Sequence, residues 1–265
     1  MPAFAMVREA FRFYRMKSQV YVRTLFLFAY GLCILRSVFP RNQVNLDDLM
    51  NYVIGLSLVG TAATDPVAMP VVAQVNIYWF IVQTAVSLLL FLFTLMYASS
   101  YVAENEGQPM SAGLRGFLRS MPRLLAFLLM FLGLSMLSSM LASPVMLLFV
   151  VVAGGLTMYF LPLLLARRGM KLGWAMNRSF VQTRGHRFFI FNCFLTLTLL
   201  VNLAATVFLF FMPVNVWVSG ALGGFFTASL TLMHGRLMGG LYFTIVQKLE
   251  APPSIVKKEP DTSED

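Results

Sequence analysis

Long runs without a charged side chain constrain this chain more than anything else in it. VVAQVNIYWFIVQTAVSLLLFLFTLMY (Val71–Tyr97), LLAFLLMFLGLSMLSSMLA (Leu124–Ala142), VMLLFVVVAGGLTMYFLPLLL (Val145–Leu165) and FFIFNCFLTLTLLVNLAATVFLFFM (Phe188–Met212) contain no Asp, Glu, Lys, Arg or His. Each is about as long as a helix must be to cross the hydrocarbon core, roughly 20 residues. Two further runs, Val20–Phe39 and Val214–Gly235, are interrupted only by Arg23, Arg36 and His234, and the second reads on to Val246 if the helix continues. The runs are continuous rather than alternating, which argues against a β-barrel reading. With 12% charged residues and 58% hydrophobic ones, the chain could not clothe a water-facing surface. The pattern predicts an all-α integral membrane protein. Its six transmembrane helices form three hairpins, each preceded by a basic amphipathic helix in the interface.

Breaks fall at Pro40, at Ser143–Pro144 and at Pro213. The third and fourth spans, and the fifth and sixth, are expected to be tight hairpins. A longer loop, Arg41–Pro70, separates the first two and contains LMNYVIGLSLVG, a candidate for a short surface helix. Residues 1–250 read as one transmembrane domain with pseudo-repeats near 1–103, 104–166 and 167–250. The tail 251–265, APPSIVKKEPDTSED, is expected to be disordered and cytoplasmic. Basic residues before LFLFAYGLCIL imitate a signal peptide, but RSVFPRN follows instead of a small-residue cleavage site, so an uncleaved first span is expected.

Basic residues set the expected orientation. Arg8, Arg12, Arg15, Lys17 and Arg23 precede or open the first span. Arg115, Arg119 and Arg123 precede the third. Arg167, Arg168, Lys171, Arg178, Arg184 and Arg187 lie between the fourth and fifth, and Lys248, Lys257 and Lys258 follow the last. Only Arg36 and Arg41 fall on the other side. The positive-inside bias then puts both termini in the cytoplasm. The net charge of +9 sits beside apolar spans, so anionic headgroups rather than nucleic acid are the expected counter-charge.

The segment SAGLRGFLRSMPRLL shows how these charges are organised. At about 100° per residue, Met110, Leu114, Phe117, Leu118 and Met121 share one face, and Arg115, Arg119 and Arg123 the other. Such a helix suits the headgroup region. A similar stretch, AMNRSFVQTRGHRFF from Ala175, precedes the fifth span and carries Arg178, Arg184 and Arg187. Near the N-terminus Phe4, Val7, Phe11 and Tyr14 can share a face. A plainer reading is that basic residues merely anchor each span.

The layout, with the A-x-x-R-x-F stretches Ala112–Phe117 and Ala175–Phe180, resembles bacterial multi-pass membrane families of uncharacterised function grouped near the membrane domain of glycerophosphodiester phosphodiesterases. The resemblance implies a bacterial cytoplasmic membrane protein. The catalytic domain of those phosphodiesterases is absent, so their activity is not implied.

Gly220, Gly224, Ala228, Thr231, Gly235 and Gly239 form a small-residue stripe on the last helix, expected to pack helices closely within the bundle or between two copies. His234 and Arg236 interrupt the same stretch, and Asn202 lies near the centre of the fifth span. These three are the candidates for a transport path, because ionisable groups at membrane depth are costly. The alternative for Arg236 is that the span ends near Gly235 and the guanidinium meets the headgroups. Gln74, Asn76, Gln83 and Asn192 are expected to bond between helices; Tyr78, Trp79 and Trp217 suit an aromatic belt. Cys33 and Cys193 read as small buried hydrophobes. With His186 and His234 the only histidines, no His-rich metal site is expected. There is no G-x-S-x-G, HExxH or P-loop, and no acid inside a span. No enzyme activity and no cofactor are expected. The leading reading is a protein that binds anionic lipid or supports a membrane-associated assembly; the competing one is a small-solute transporter or channel component.

Overall fold

The computed structural model describes residues 3–38, 71–141, 152–168, 170–211 and 216–247. The Arg41–Pro70 loop, the Ser143–Pro144 and Pro213 breaks and the tail from Ala251 lie outside the described residues. Among those described, the chain is helical and contains no strand. The helices are α1 (Ala3–Ala10), α2 (Gln19–Val38), α3 (Val71–Asn105), α4 (Met110–Leu141), α5 (Leu161–Arg168), α6 (Leu172–Thr183), α7 (Arg187–Phe211) and α8 (Val216–Leu241). A π-helical turn, Tyr242–Gln247, extends α8. Three of the described helices contain stretches long and apolar enough to cross a membrane, Gln19–Arg36, Val82–Asn105 and Arg187–Phe211.

The element boundaries revise the sequence reading in four places. α3 runs two turns past Tyr97, because YVAEN still suits a helix and Ser99 and Ser100 are buried against neighbours. The basic stretch with Arg115 to Arg123 is not a separate interfacial helix. It is the first half of α4, which passes through Pro122 without ending. Pro122 removes only the N–H that would reach the Leu118 carbonyl. The fourth run is broken: residues 152–157 are helical, Met158–Phe160 turn, and α5 follows. At the N-terminus, α1 ends at Ala10 and buries Met6, Val7 and Ala10, while Phe4, Phe11 and Tyr14 are exposed. The expected Phe4–Val7–Phe11–Tyr14 face therefore does not form, because Phe11–Tyr14 is a turn.

The chain divides into two compact units. The first comprises 1–10, 98–194 and 236–265. In it α4 packs on α5, α5 on α6, and α6 on the π-helical turn. Phe117, Leu124, Phe160, Leu161, Leu163, Leu164, Ile190 and Leu241 are all but inaccessible there. The second comprises 11–97 and 195–235. Its core sets Ala29 and Cys33 of α2 against Val86 and Leu90 of α3 and Ala228 of α8. The buried Tyr97 hydroxyl donates to the Phe13 carbonyl and ties the turn after α1 to α3. α7 turns Leu199, Leu203, Phe208, Phe210 and Phe211 outward. So much exposed apolar surface is compatible with a membrane protein.

Candidate lipid-headgroup site

The basic stretch of α4 borders a cavity of about 390 Å³. Local sequence explains how its walls form. α3 stops at Gly107, whose φ of 74° is open to glycine and costly for other residues. The Gly107 N–H donates to the Glu104 carbonyl (3.1 Å) and the Gln108 N–H to the Ala103 carbonyl (2.9 Å). This is the Schellman arrangement that satisfies a helix's last carbonyls. α4 then starts within a few residues and returns along α3. Gly113 sits against the Ser99 backbone, where a Cβ would lie 2.8 Å from the Ser99 carbonyl oxygen, and the Ser99 hydroxyl donates to the Gly113 carbonyl at 2.9 Å. On the other flank Gly116 meets the Ala166 carbonyl of α5 too closely for any side chain.

Arg115, Arg119 and Arg123 stand on this wall at four-residue spacing, with Gln108, Ala112 and Ser120 beside them. Arg115 and Arg119 are exposed; no hydrogen bond or ion pair joins either to another described residue. Arg123 is half-buried, and its Nη1 donates to the Met170 carbonyl at 3.0 Å. The Ser120 hydroxyl donates to the Phe117 carbonyl at 2.8 Å. Leu118 and Leu125 project outward from the same part of α4. Leu114, expected at the centre of the apolar face, is only half-buried; the inward row is Gly113, Phe117, Ser120 and Leu124. Small residues shift this face: Gly113 and Ser120 share the inward row with Phe117 and Leu124, and Leu114 and Leu118 are turned aside.

Arg178, Arg184 and Arg187 do not line this cavity. Arg178 belongs to α6, Arg184 to the turn after it, and Arg187 opens α7. α6 forms as a separate helix and has an inverted face. It buries Ala175, Ser179, Gln182 and Thr183, and the Ser179 and Thr183 hydroxyls donate to the Thr157 carbonyl (3.0 and 3.3 Å). Outward point Trp174 (71% exposed), Phe180, Val181 and Arg184. Gly185, at φ 83°, turns the chain into α7. There the Arg187 guanidinium lies 4.6 Å from the centre of the Phe180 ring. The two A-x-x-R-x-F stretches thus diverge: Phe117 is buried and Phe180 is exposed.

The transport candidates lie in three different settings. Asn202 is exposed on α7. The His234 Nε2 is 3.2 Å from the Thr198 hydroxyl. Arg236 is 6% exposed; its Nη2 donates to Glu9 Oε1 of α1 at 2.6 Å, and its guanidinium carbon lies 4.9 Å from the Tyr101 ring centre. The helix continues past Gly235, so Arg236 is inside the first unit and not at a helix end. No span supplies its acid. Glu9 does, and sequence reading restricted to the apolar runs missed it.

The small-residue stripe of α8 is used inside the chain. Gly224 meets Cys33 and Tyr30 of α2, Gly235 meets Thr94 and Tyr97 of α3, and Gly239 meets Tyr101. Ala228 is fully buried, Thr231 receives the Thr94 hydroxyl at its carbonyl (3.2 Å), and Gly220 is half-buried. Cys33 and Cys193 are free and buried. Among the described residues no group of three His, Cys, Asp or Glu could hold a metal ion. No known protein family, curated protein or solved structure matches the chain.

Proposed function

We propose that the protein is a non-enzymatic, multi-pass component of a bacterial cytoplasmic membrane that binds anionic lipid through its basic helices. The six spans form three hairpins, and both termini face the cytoplasm. The observation that carries this reading is the inverted face of α6. A helix that buries Ser, Gln and Thr while exposing Trp174, Phe180 and Val181 is arranged for apolar surroundings. Arg178 and Arg184 beside them suit phosphate oxygens at the edge of those surroundings. Arg115 and Arg119, next to the exposed Leu118, repeat the combination on α4. A transport path has less support, since Asn202, His234 and Arg236 lie in separate surroundings.

Trp174 provides the test. With Trp79 and Trp217 changed to Phe, it becomes the only tryptophan of the chain. Its fluorescence is measured in bilayers containing a brominated anionic lipid or, separately, a brominated phosphatidylcholine at equal mole fraction. The expected result is quenching by both, severalfold stronger for the anionic lipid. No quenching would remove α6 from the interface, and equal quenching would remove the preference for negative charge.

A further inference from the structure

We infer that the cavity between α3, α4 and α5 is a discrete site for a terminal phosphomonoester, such as the headgroup of a lipid ending in an unsubstituted phosphate. The inference rests on the lipid-binding reading and narrows it to one ligand chemistry. A diffuse basic surface would attract any negative headgroup. This cavity is more selective in three respects. Its cations form a row: Arg115, Arg119 and Arg123 follow one another at four-residue spacing, which sets their Cβ atoms roughly 5–6 Å apart along α4. One end of the row is oriented, because Arg123 is bonded to the Met170 carbonyl. The wall around them carries the short side chains of Ala103, Ala112 and Ala166, which leaves room for a ligand beside the guanidiniums.

The polar groups of the cavity indicate what would fill it. The Ser99 and Ser120 hydroxyls already donate to the Gly113 and Phe117 carbonyls and Arg123 to the Met170 carbonyl, so the donors left for a ligand are the Arg115 and Arg119 forks and the Gln108 amide. Guanidinium forks bond the oxygens of a phosphate in pairs. No described carboxylate neutralises Arg115 or Arg119, so both are open to an anionic ligand. A phosphodiester brings one negative charge, whereas a phosphomonoester brings about −1.5 to −2 at neutral pH and three terminal oxygens. Ligands bearing choline or ethanolamine would set an ammonium against the same cations. Beyond the row, the apolar half of α4 exposes Leu125 and Leu129 to the side of the arginines, surface that acyl chains would cover.

The test uses the full chain in mixed micelles, with retained lipid counted by native mass spectrometry. Phosphatidic acid, a monoester, competes against phosphatidylglycerol, a diester, at equal concentration. The expected result is at least about tenfold tighter retention of phosphatidic acid. That preference is lost in Arg115→Gln/Arg119→Gln. It is also lost in Ala112→Phe, which fills the cavity with the charges intact, and it is kept in Arg36→Gln on α2, outside the cavity lining. If either cavity variant fails to fold, the other decides. Displacement of the lipid by millimolar glycerol 3-phosphate would identify a soluble phosphomonoester as the ligand, and resistance to it a membrane lipid; both support the site. Equal retention of the two lipids, or a preference that survives the folded cavity variants, overturns it. If Trp174 is still quenched preferentially by anionic lipid, only this inference falls; if that preference is missing too, the broader reading falls with it.

Discussion

Arg236 shows what a single residue demands of a chain like this. Its guanidinium is buried, and a buried charge without a partner costs several kcal/mol. The Glu9 carboxylate at 2.6 Å and the face of the Tyr101 ring help to offset that cost. Glu9 is itself part-exposed, at 41%, so the pair is worth less than a fully enclosed one. Glu9→Gln is expected to destabilise the protein by about 1–3 kcal/mol, read as a lower melting temperature in detergent. Swapping the charges, Glu9→Arg with Arg236→Glu, should recover part of the loss. A melting temperature unchanged by Glu9→Gln would mean that the pair contributes nothing. The position of Arg236 in an apolar run marked it in the sequence as costly, but its partner was not legible. Glu9 is far away in the chain, and only the packing of α1 brings it close.

Between elements, small residues decide who touches whom. Gly235 faces α3 so closely that a Cβ would lie 2.7 Å from the Thr94 carbonyl oxygen and 2.9 Å from the Tyr97 ring. Gly235→Val must therefore push α8 away from α3, at a cost of about 1–3 kcal/mol or more. Faster proteolysis and a lower melting temperature are the expected readouts; full stability in this variant would show that the helices are not in contact there. The α8 stripe was legible because its glycines recur at helical spacing. The docking of α4 was less so. A-G-L-R-G carries the signal, two glycines three residues apart, but the larger Leu114 and Leu118 dominate a hydrophobic wheel and rotate the expected face. The helix–span boundary before Leu124 was misplaced for a related reason. Charge marks where a helix leaves the hydrocarbon, not where its hydrogen bonds stop, and α4 carries its arginines without a break. The walls contributed by Ser99, Gln108 and Ala166 have no signature of their own, since each becomes part of a cavity only through helix packing.

For the whole molecule, the all-helical character and the presence of helices apolar enough to cross a membrane were legible in the composition and its long apolar runs, and the bias of its 20 Lys and Arg residues predicts an orientation that can be measured. A fluorescent protein fused after Gln247 should be bright, and alkaline phosphatase fused at the same place inactive, if that end is cytoplasmic. The opposite pair of results would invert the topology and put the α4 and α6 arginines on the outer face. The division into two compact units was not legible, because neither unit is a continuous length of chain. That arrangement has a consequence for biogenesis. The unit holding the arginine row draws on residues 1–10, 98–194 and 236 onward, so a ribosome delivers its parts in three instalments. Glu9 emerges long before Arg236 exists to meet it. No contiguous fragment of the gene encodes this unit by itself. Split-gene expression divided between α7 and α8 should therefore yield function only when both pieces are made together in the same membrane.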